Sequence, residues 1–207
     1  MLDPAEQNQI DQALRVVDRE VWVITAANAG RRGGLVATWV AAASIDRQQP
    51  MILAGIGPNH FTAELVQASR AFGAHLLRPD QVELAWNFAR DSGRQRDKLC
   101  NLAIEQGSTG APILADCLAW FDCRVFARYD AGDRLLFWAD VAGGTLCMPS
   151  NGTPTRSAGA PAPTTLREQA FFQGLSDEQR QMLIAARDAE AELYRPLNEN
   201  WRLAKPW

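Results

Sequence analysis

CLAWFDCRVFARYDAGDRLLFWADV, residues 117–141, is the stretch that decides the fold. Cys117, Ala119, Phe121, Cys123, Val125 and Ala127 alternate with a set that includes Asp122, Arg124 and Arg128. A period of two sends alternate side chains to opposite faces, so this is a strand with an apolar face and a charged one. Gly132-Asp133 supplies the turn, and Leu135 to Val141 returns as an antiparallel partner. A hairpin with one apolar face needs further strands to bury it, and the flanking sequence contains them.

Upstream, Val21 to Thr25 is β-branched and aromatic, and Asn28 to Gly34 reads as a turn. A second strand is expected from Leu35 to about Ser44, a third from Pro50 to Ile56 and a fourth from Phe72 to Leu77. Helical spacing marks Phe61 to Ala68, and Pro79 opens another helix with Val82, Trp86 and Ala89 on one face. The first element is also a helix. Asp3 caps it, Pro4 fits its first turn, Glu6 completes a capping box, and Ile10, Leu14 and Val17 follow at helical spacing. Strands in neighbouring antiparallel pairs favour a closed or partly closed antiparallel barrel with helices packed on it. The polar run Arg90 to Lys98 reads as a surface loop.

Downstream the composition changes. Residues 148–164 are rich in Pro, Gly, Ser and Thr without apolar period, as in a linker or arm. Two capping boxes follow, Thr165 to Glu168 and Ser176 to Gln179, the second leading a helix with Leu183, Ala186 and Ala189 on a stripe. The expected organisation is therefore a barrel domain over 1–147, a linker over 148–164 and a helical extension over 165–207. The extension is expected to dock near the functional cleft or an interface between protomers, with Phe171 or Phe172 as anchor.

The 207 residues carry 24 acidic and 21 basic side chains, a net charge of −3, which argues against a nucleic-acid partner. No 18-residue apolar run indicates a membrane span, and the acidic start does not read as a signal peptide. Cys100, Cys117, Cys123 and Cys147 include no C-x-x-C pair and have only His60 and His75 to complement them. They read as reduced buried thiols in a cytoplasmic protein, with no metal site. Gly30 to Gly34 lacks the spacing of a nucleotide-phosphate loop, and no G-x-S-x-G or H-E-x-x-H motif is present. So few candidate acids and bases point to chemistry carried by a bound cofactor.

Gly34-Leu35-Val36-Ala37-Thr38-Trp39-Val40, then Ser44-Ile45-Asp46 and Pro50-Met51-Ile52-Leu53, resemble the flavin reductase-like FMN-binding family. The wording is similar to the branch found in multidomain flavoproteins. The resemblance continues through Gly57-Pro58-Asn59-His60-Phe61-Thr62, Phe72 to Leu77, Leu84 to Phe88, Asp97-Lys98-Leu99 and Gly132-Asp133-Arg134, covering about residues 12–145. It implies an antiparallel split β-barrel with peripheral helices, a homodimer, and FMN as cofactor.

By position in that family, Asn59 and Thr62 lie where the phosphate is held, His60 between them is a further cofactor-binding position, and Lys98 offsets negative charge. Val36, Ala37, Thr38 and Trp39 line the isoalloxazine, and Gly55 and Gly57 let it approach the backbone. Without the family, Asn59 is a helix cap, Thr62 a first-turn residue, Lys98 a solvated lysine and Trp39 a core tryptophan. One departure stands out: relatives often have histidine where this chain has Arg134, and arginine donates no proton at neutral pH. The resemblance implies an NAD(P)H-dependent flavin reductase that delivers electrons to a flavin or protein acceptor. An FMN electron carrier without a nicotinamide site, and a dimer that has lost its flavin, remain as alternatives.

Overall fold

The computed structural model describes residues 3–147 and 164–204, so the expected linker lies outside the described residues except for Thr164. The first half runs α1 (Pro4–Arg15), β1 (Trp22–Asn28), β2 (Arg31–Ala37), β3 (Val40–Ala42), β4 (Met51–Ile56), α2 (Phe61–Ser69) and β5 (Ala71–Leu76). The second runs α3 (Val82–Ala89), β6 (Ile104–Gln106), β7 (Pro112–Leu114), β8 (Ala119–Asp130), β9 (Leu135–Leu146), α4 (Glu168–Gly174) and α5 (Asp177–Ala204). Seven strands form one antiparallel sheet in the order β2-β1-β5-β8-β9-β4-β3, and β6 and β7 form a separate ribbon.

That order forces the sheet to close. β2 and β3 are its two edges, yet only Thr38 and Trp39 separate them in the chain. Three Cα steps reach at most about 11 Å, whereas seven strands laid flat would span roughly 29 Å. The sheet therefore curls until its edges meet, and the Gly55 amide fixes the junction by donating to Trp39 O at 2.7 Å. This is the split antiparallel barrel. The single strand expected over Leu35 to Ser44 is in fact two, because the backbone leaves one edge at Thr38 and joins the other at Val40.

Other expectations are corrected by local physics. The turn assigned to Asn28 to Gly34 shrinks to Ala29-Gly30, both at positive φ, with Asn28 paired to Arg31 and residues 31–34 already in β2. Helix α3 begins at Val82 rather than at Pro79. The Thr165 capping box does not form. Arg167 is the N-cap of α4, Thr165 Oγ1 is buried without a partner, and the Leu166 backbone bridges Val21 and Leu77. The boxes at Asp3 and at Ser176 do form. Asp122 is not on a solvent face, because β8 has register shifts at Asp122/Cys123 and Val125/Ala127 that interrupt strict alternation. Its buried carboxylate accepts from Ser108 Oγ, Thr109 N and Thr109 Oγ1, holding the β6–β7 ribbon that the sequence reading missed.

Two apolar clusters flank the sheet. Ile24, Ile52, Ile56, Phe72 and Phe137 fill the barrel, joined by Ala63, Leu65 and Val66 of α2. Outside it, Val21, Val23 and Leu77 meet Trp86 and Phe88 of α3, Phe171 of α4 and Leu183 of α5. Phe171 is the anchor of the extension, at 2% exposure. Helix α1 forms but buries nothing, so Ile10, Leu14 and Val17 stay exposed. Cys117 and Cys123 are buried and Cys147 is half-buried, but Cys100 is exposed, against expectation. Burial pushes the Cys117 and Cys123 thiols up, away from the reactive thiolate.

His75 is fully buried between β1 and β7. The Leu114 amide donates to Nε2 at 3.0 Å, so Nδ1 carries the proton and donates to Val23 O at 3.0 Å. Burial lowers its pKa from 6.5 to about 4. Between those values the unfolded chain binds a proton that the folded one refuses, so stability falls with falling pH. The loss approaches about 3 kcal/mol near pH 4. Urea unfolding at pH 7 and pH 5 is expected to show this component in the wild type and to lack it in His75→Asn.

Candidate functional site

The barrel seam is a cleft of about 560 Å³, within the range of small-molecule and cofactor sites. One wall is Gly34 to Trp39, from the end of β2 through the crossover. The facing wall is Gly55, Ile56, Gly57, Asn59 and His60, leading from β4 into α2. As an edge strand, β2 keeps one side of its backbone unpaired by β1 and available to a ligand. Val36, Ala37, Thr38, Trp39, Gly55, Gly57, Asn59, His60, Thr62, Lys98 and Arg134 all line this one cleft. Residues up to 98 positions apart in sequence thus converge.

One end of the cleft suits an anion. The N-cap of α2 is His60, not Asn59, and no side chain caps the helix, which leaves its first amides and positive dipole end facing the cleft. Thr62 sits in that first turn at 3% exposure. Opposite, Lys98 is buried rather than solvated, and its Nζ donates to Phe88 O at 2.8 Å. Burial, assisted by the nearby Arg96 charge, lowers its pKa to about 8. Arg94 closes this end, donating to Asn59 O at 3.1 Å and pairing with Glu64. The other end is aromatic. Trp39 is 45% exposed, so it is not a core tryptophan. The Arg134 guanidinium lies 5.0 Å from the Trp39 ring centre and 5.7 Å from that of Tyr194.

Helix α5 crosses the mouth of the cleft. Leu183, Ala186, Arg187, Glu190, Leu193 and Tyr194 line it, at the helical spacing of one face. Glu190 Oε1 lies 2.6 Å from His60 Nε2, and that hydrogen bond is the leading cause holding the Glu190 carboxyl below its ordinary range. Tyr194 Oη hydrogen-bonds the Asn59 backbone, and burial raises its pKa. The Asp133 amide donates to Asn198 Oδ1 at 2.8 Å. The sequence reading missed the α5 residues, together with Phe88, Ser92, Gly93 and Arg94. Four cations within residues 90–98 were the available signal for Arg94, and the stripe 183-187-190-194 for α5. Its mixture of Leu, Arg, Glu and Tyr hid the second.

The description "Flavin reductase like domain" matches residues 14–156. A diflavin flavoprotein of Nostoc sp. is 26% identical over 136 residues, 65% of this chain and 24% of that protein. The chain thus spans about a quarter of the length of such relatives. The reductase component of a 4-nitrophenol 4-monooxygenase/4-nitrocatechol 2-monooxygenase from Rhodococcus opacus is 29% identical over 141 residues, 68% of this chain and 73% of that one. The crystal structure of an FMN-binding protein from Thermus thermophilus superposes with a TM-score of 0.58 at 25% identity, over 62% of this chain and 71% of that one. Helix α5, from Asp177, lies outside the matched residues 14–156.

Tyr194→Ala should release α5 from the cleft, since it removes a buried aromatic worth about 3 kcal/mol or more and the contact with Asn59. Hydrogen exchange is the check. Protection in α5 and around residues 57–60 and 131–134 is expected to fall, while β8 and β9 keep theirs.

Proposed function

The chain belongs to the flavin reductase-like family, and from that premise we propose that it binds FMN in the barrel seam and acts as an NAD(P)H-dependent flavin reductase. The observation that carries the proposal is the convergence of Val36 to Trp39, Gly55 to Thr62 and Lys98 on one cleft. The donor set fits a flavin mononucleotide. An uncapped helix start, Thr62, Arg94 and a buried ammonium stand at one end, and the unpaired side of β2 with apolar and aromatic walls at the other. The names of the relatives support the same direction: one is a reductase component and another an FMN-binding protein.

When bound, the flavin supplies hydride acceptance; the chain supplies position and electrostatics. Asn59, His60 and Thr62 hold the phosphate end, and Lys98 neutralises it. Trp39 walls the ring end, and α5 excludes water from that side. Arg134, over the Trp39 ring, would supply a permanent positive charge able to offset negative charge on a bound flavin. A second reading, an FMN electron carrier between proteins, is favoured by the same residue. Arg134 donates no proton, and Tyr194 packs over it.

We also propose a cytoplasmic homodimer. Exposed Ile10 and Leu14 on α1 and Val17 just after it, with Ile45 and Phe126, give apolar surface for a second protomer to cover. Light scattering at micromolar concentration is expected to give twice the mass of one chain, and a stable monomer refutes this part.

Purified protein should be yellow and bleach on anaerobic addition of NADH or NADPH; a yellow protein that neither bleaches is the carrier. Thr62→Ala should weaken FMN by about tenfold, the worth of one charge-assisted bond, and riboflavin should bind more weakly still. FMN affinity should also fall as pH rises through about 8, where Lys98 loses its proton in the free protein. Lys98→Met should bind FMN weakly without that pH dependence, as read by flavin fluorescence.

A further inference from the structure

Cys117 and Cys147 are 30 positions apart in the chain, yet their sulfur atoms lie 3.9 Å from each other. Cys117 sits in the bend between β7 and β8, and Cys147 is the residue that follows β9. Backbone bonds set this approach. Leu118 N donates to Leu76 O at 2.8 Å and Cys147 N donates to Leu118 O at 2.8 Å, which ties both cysteines to one point of the sheet. The other two thiols take no part: Cys123 Sγ donates to Phe121 O at 3.7 Å, and Cys100 is exposed. No group of three His, Cys, Asp or Glu side chains able to hold a metal occurs among the described residues, so the chemistry left to the pair is that of two thiols.

The sulfurs need to approach by about 2 Å to reach the length of a disulfide bond, a distance that side-chain rotation can supply. The two thiols are not equivalent. Cys147 is half-buried, within reach of a small oxidant, whereas Cys117 has no exposed surface. Burial, and after it the neighbouring Cys147, push the Cys117 thiol up, so it enters any reaction protonated.

We propose that Cys117 and Cys147 form a reversible redox site, a thiol pair that a hydroperoxide converts into a disulfide. The Cys147 sulfur, as thiolate, attacks a peroxide oxygen and the O–O bond breaks. Cys147 becomes a sulfenic acid, and the departing oxygen takes a proton to leave as water. The Cys117 sulfur then attacks the sulfenic sulfur, the S–S bond forms and the S–O bond breaks. The departing hydroxide takes the Cys117 proton and leaves as a second water. The thiol pair has lost two electrons, and hydrogen peroxide has been reduced to two waters. A dithiol reductant reverses the step by exchange. Such a bridge suits a reducing compartment, where disulfides are made transiently and undone.

The bridge staples the open end of the β8–β9 hairpin. It also ties residue 147 to the outer apolar cluster, which holds Cys117 together with Leu166, Phe171 and Leu183. Both flanks of residues 148–163 are then fixed to one core. An unfolded chain that keeps this loop closed has less entropy to gain, so the bridged form resists unfolding.

The test uses the full chain carrying Cys100→Ser, which removes the exposed thiol, treated with micromolar hydrogen peroxide. Digestion without reductant should give one peptide pair linked through Cys117 and Cys147. Two of the three remaining thiols should disappear, with a mass lower by two hydrogens, and dithiothreitol should restore both. The bridged protein should unfold at a urea midpoint higher by about 1 M. Cys117→Ala, which keeps that position apolar, should leave Cys147 as a sulfenic acid trapped by dimedone, with the midpoint unmoved by peroxide. Thiols that both stay free, a Cys147 sulfinic acid beside a reduced Cys117 in the Cys100→Ser chain, or a link from either to Cys123 overturns the site. A bridge that leaves the midpoint where it was overturns the tie to the core. No flavin enters the experiment, so its failure leaves the reading of the seam untouched.

Discussion

The two residues Thr38 and Trp39 set the shape of this molecule. They join strands at opposite edges of a seven-stranded sheet, a distance that a flat sheet could not bring within reach of so short a connection. Closure follows from chain connectivity before any side chain is considered. The apolar residues of the inner face then fill the space that closure creates, and α2 stops one part of it with Ala63, Leu65 and Val66. The same crossover leaves a seam, because Trp39 is hydrogen-bonded across to Gly55 while the strand before it is not paired to β4. The cleft is therefore a by-product of how the barrel closes, which is why its walls come from β2, the crossover and the start of α2.

Two polar groups buried around the barrel, His75 and Asp122, are matched, and the matching ties separate elements together. His75 joins β1 to β7, and Asp122 holds the turn between β6 and β7. Lys98 differs in kind. A single carbonyl accepts from its ammonium, and burial has already brought its pKa down to about 8. A cation so placed gains from any anion that enters the cleft, whereas His75 and Asp122 have no such vacancy in their bonding. The contrast separates a group with unspent donors from groups whose bonding is complete.

Helix α5 makes this chain more than its matched segment. It reaches the cleft through polar contacts at His60, Asn59 and Asp133, and is secured nearer its start by Leu183 and the Phe171 cluster. The two ends of its docking surface thus have different physics. The apolar end is buried; the polar end is held by the partly exposed His60 and Glu190. The mouth of the seam is thus lined in part by residues from outside the matched segment 14–156.

Much was legible in the sequence. The alternation from Cys117 to Tyr129, the apolar run before Gly57, and the capping boxes at Asp3 and Ser176 each depend on neighbours a few residues away, and local patterning records such dependence directly. The motif wording from Gly34 to Arg134 marked the residues that the fold brings to one cleft. Tertiary structure alone decided the rest. The break at Thr38 is invisible locally, since Val36 to Ala42 reads as one strand until the sheet order is known. The failed Thr165 box and the burial of Asp122 and Lys98 follow from partners far off in sequence: Val21 and Leu77, the Ser108-Thr109 turn, and Phe88 under the 91–97 loop. The position of α5 is of the same kind. Its stripe of Leu183, Arg187, Glu190 and Tyr194 declares a helix face, but only the packed barrel supplies the His60, Asn59 and Arg134 that give that face something to meet.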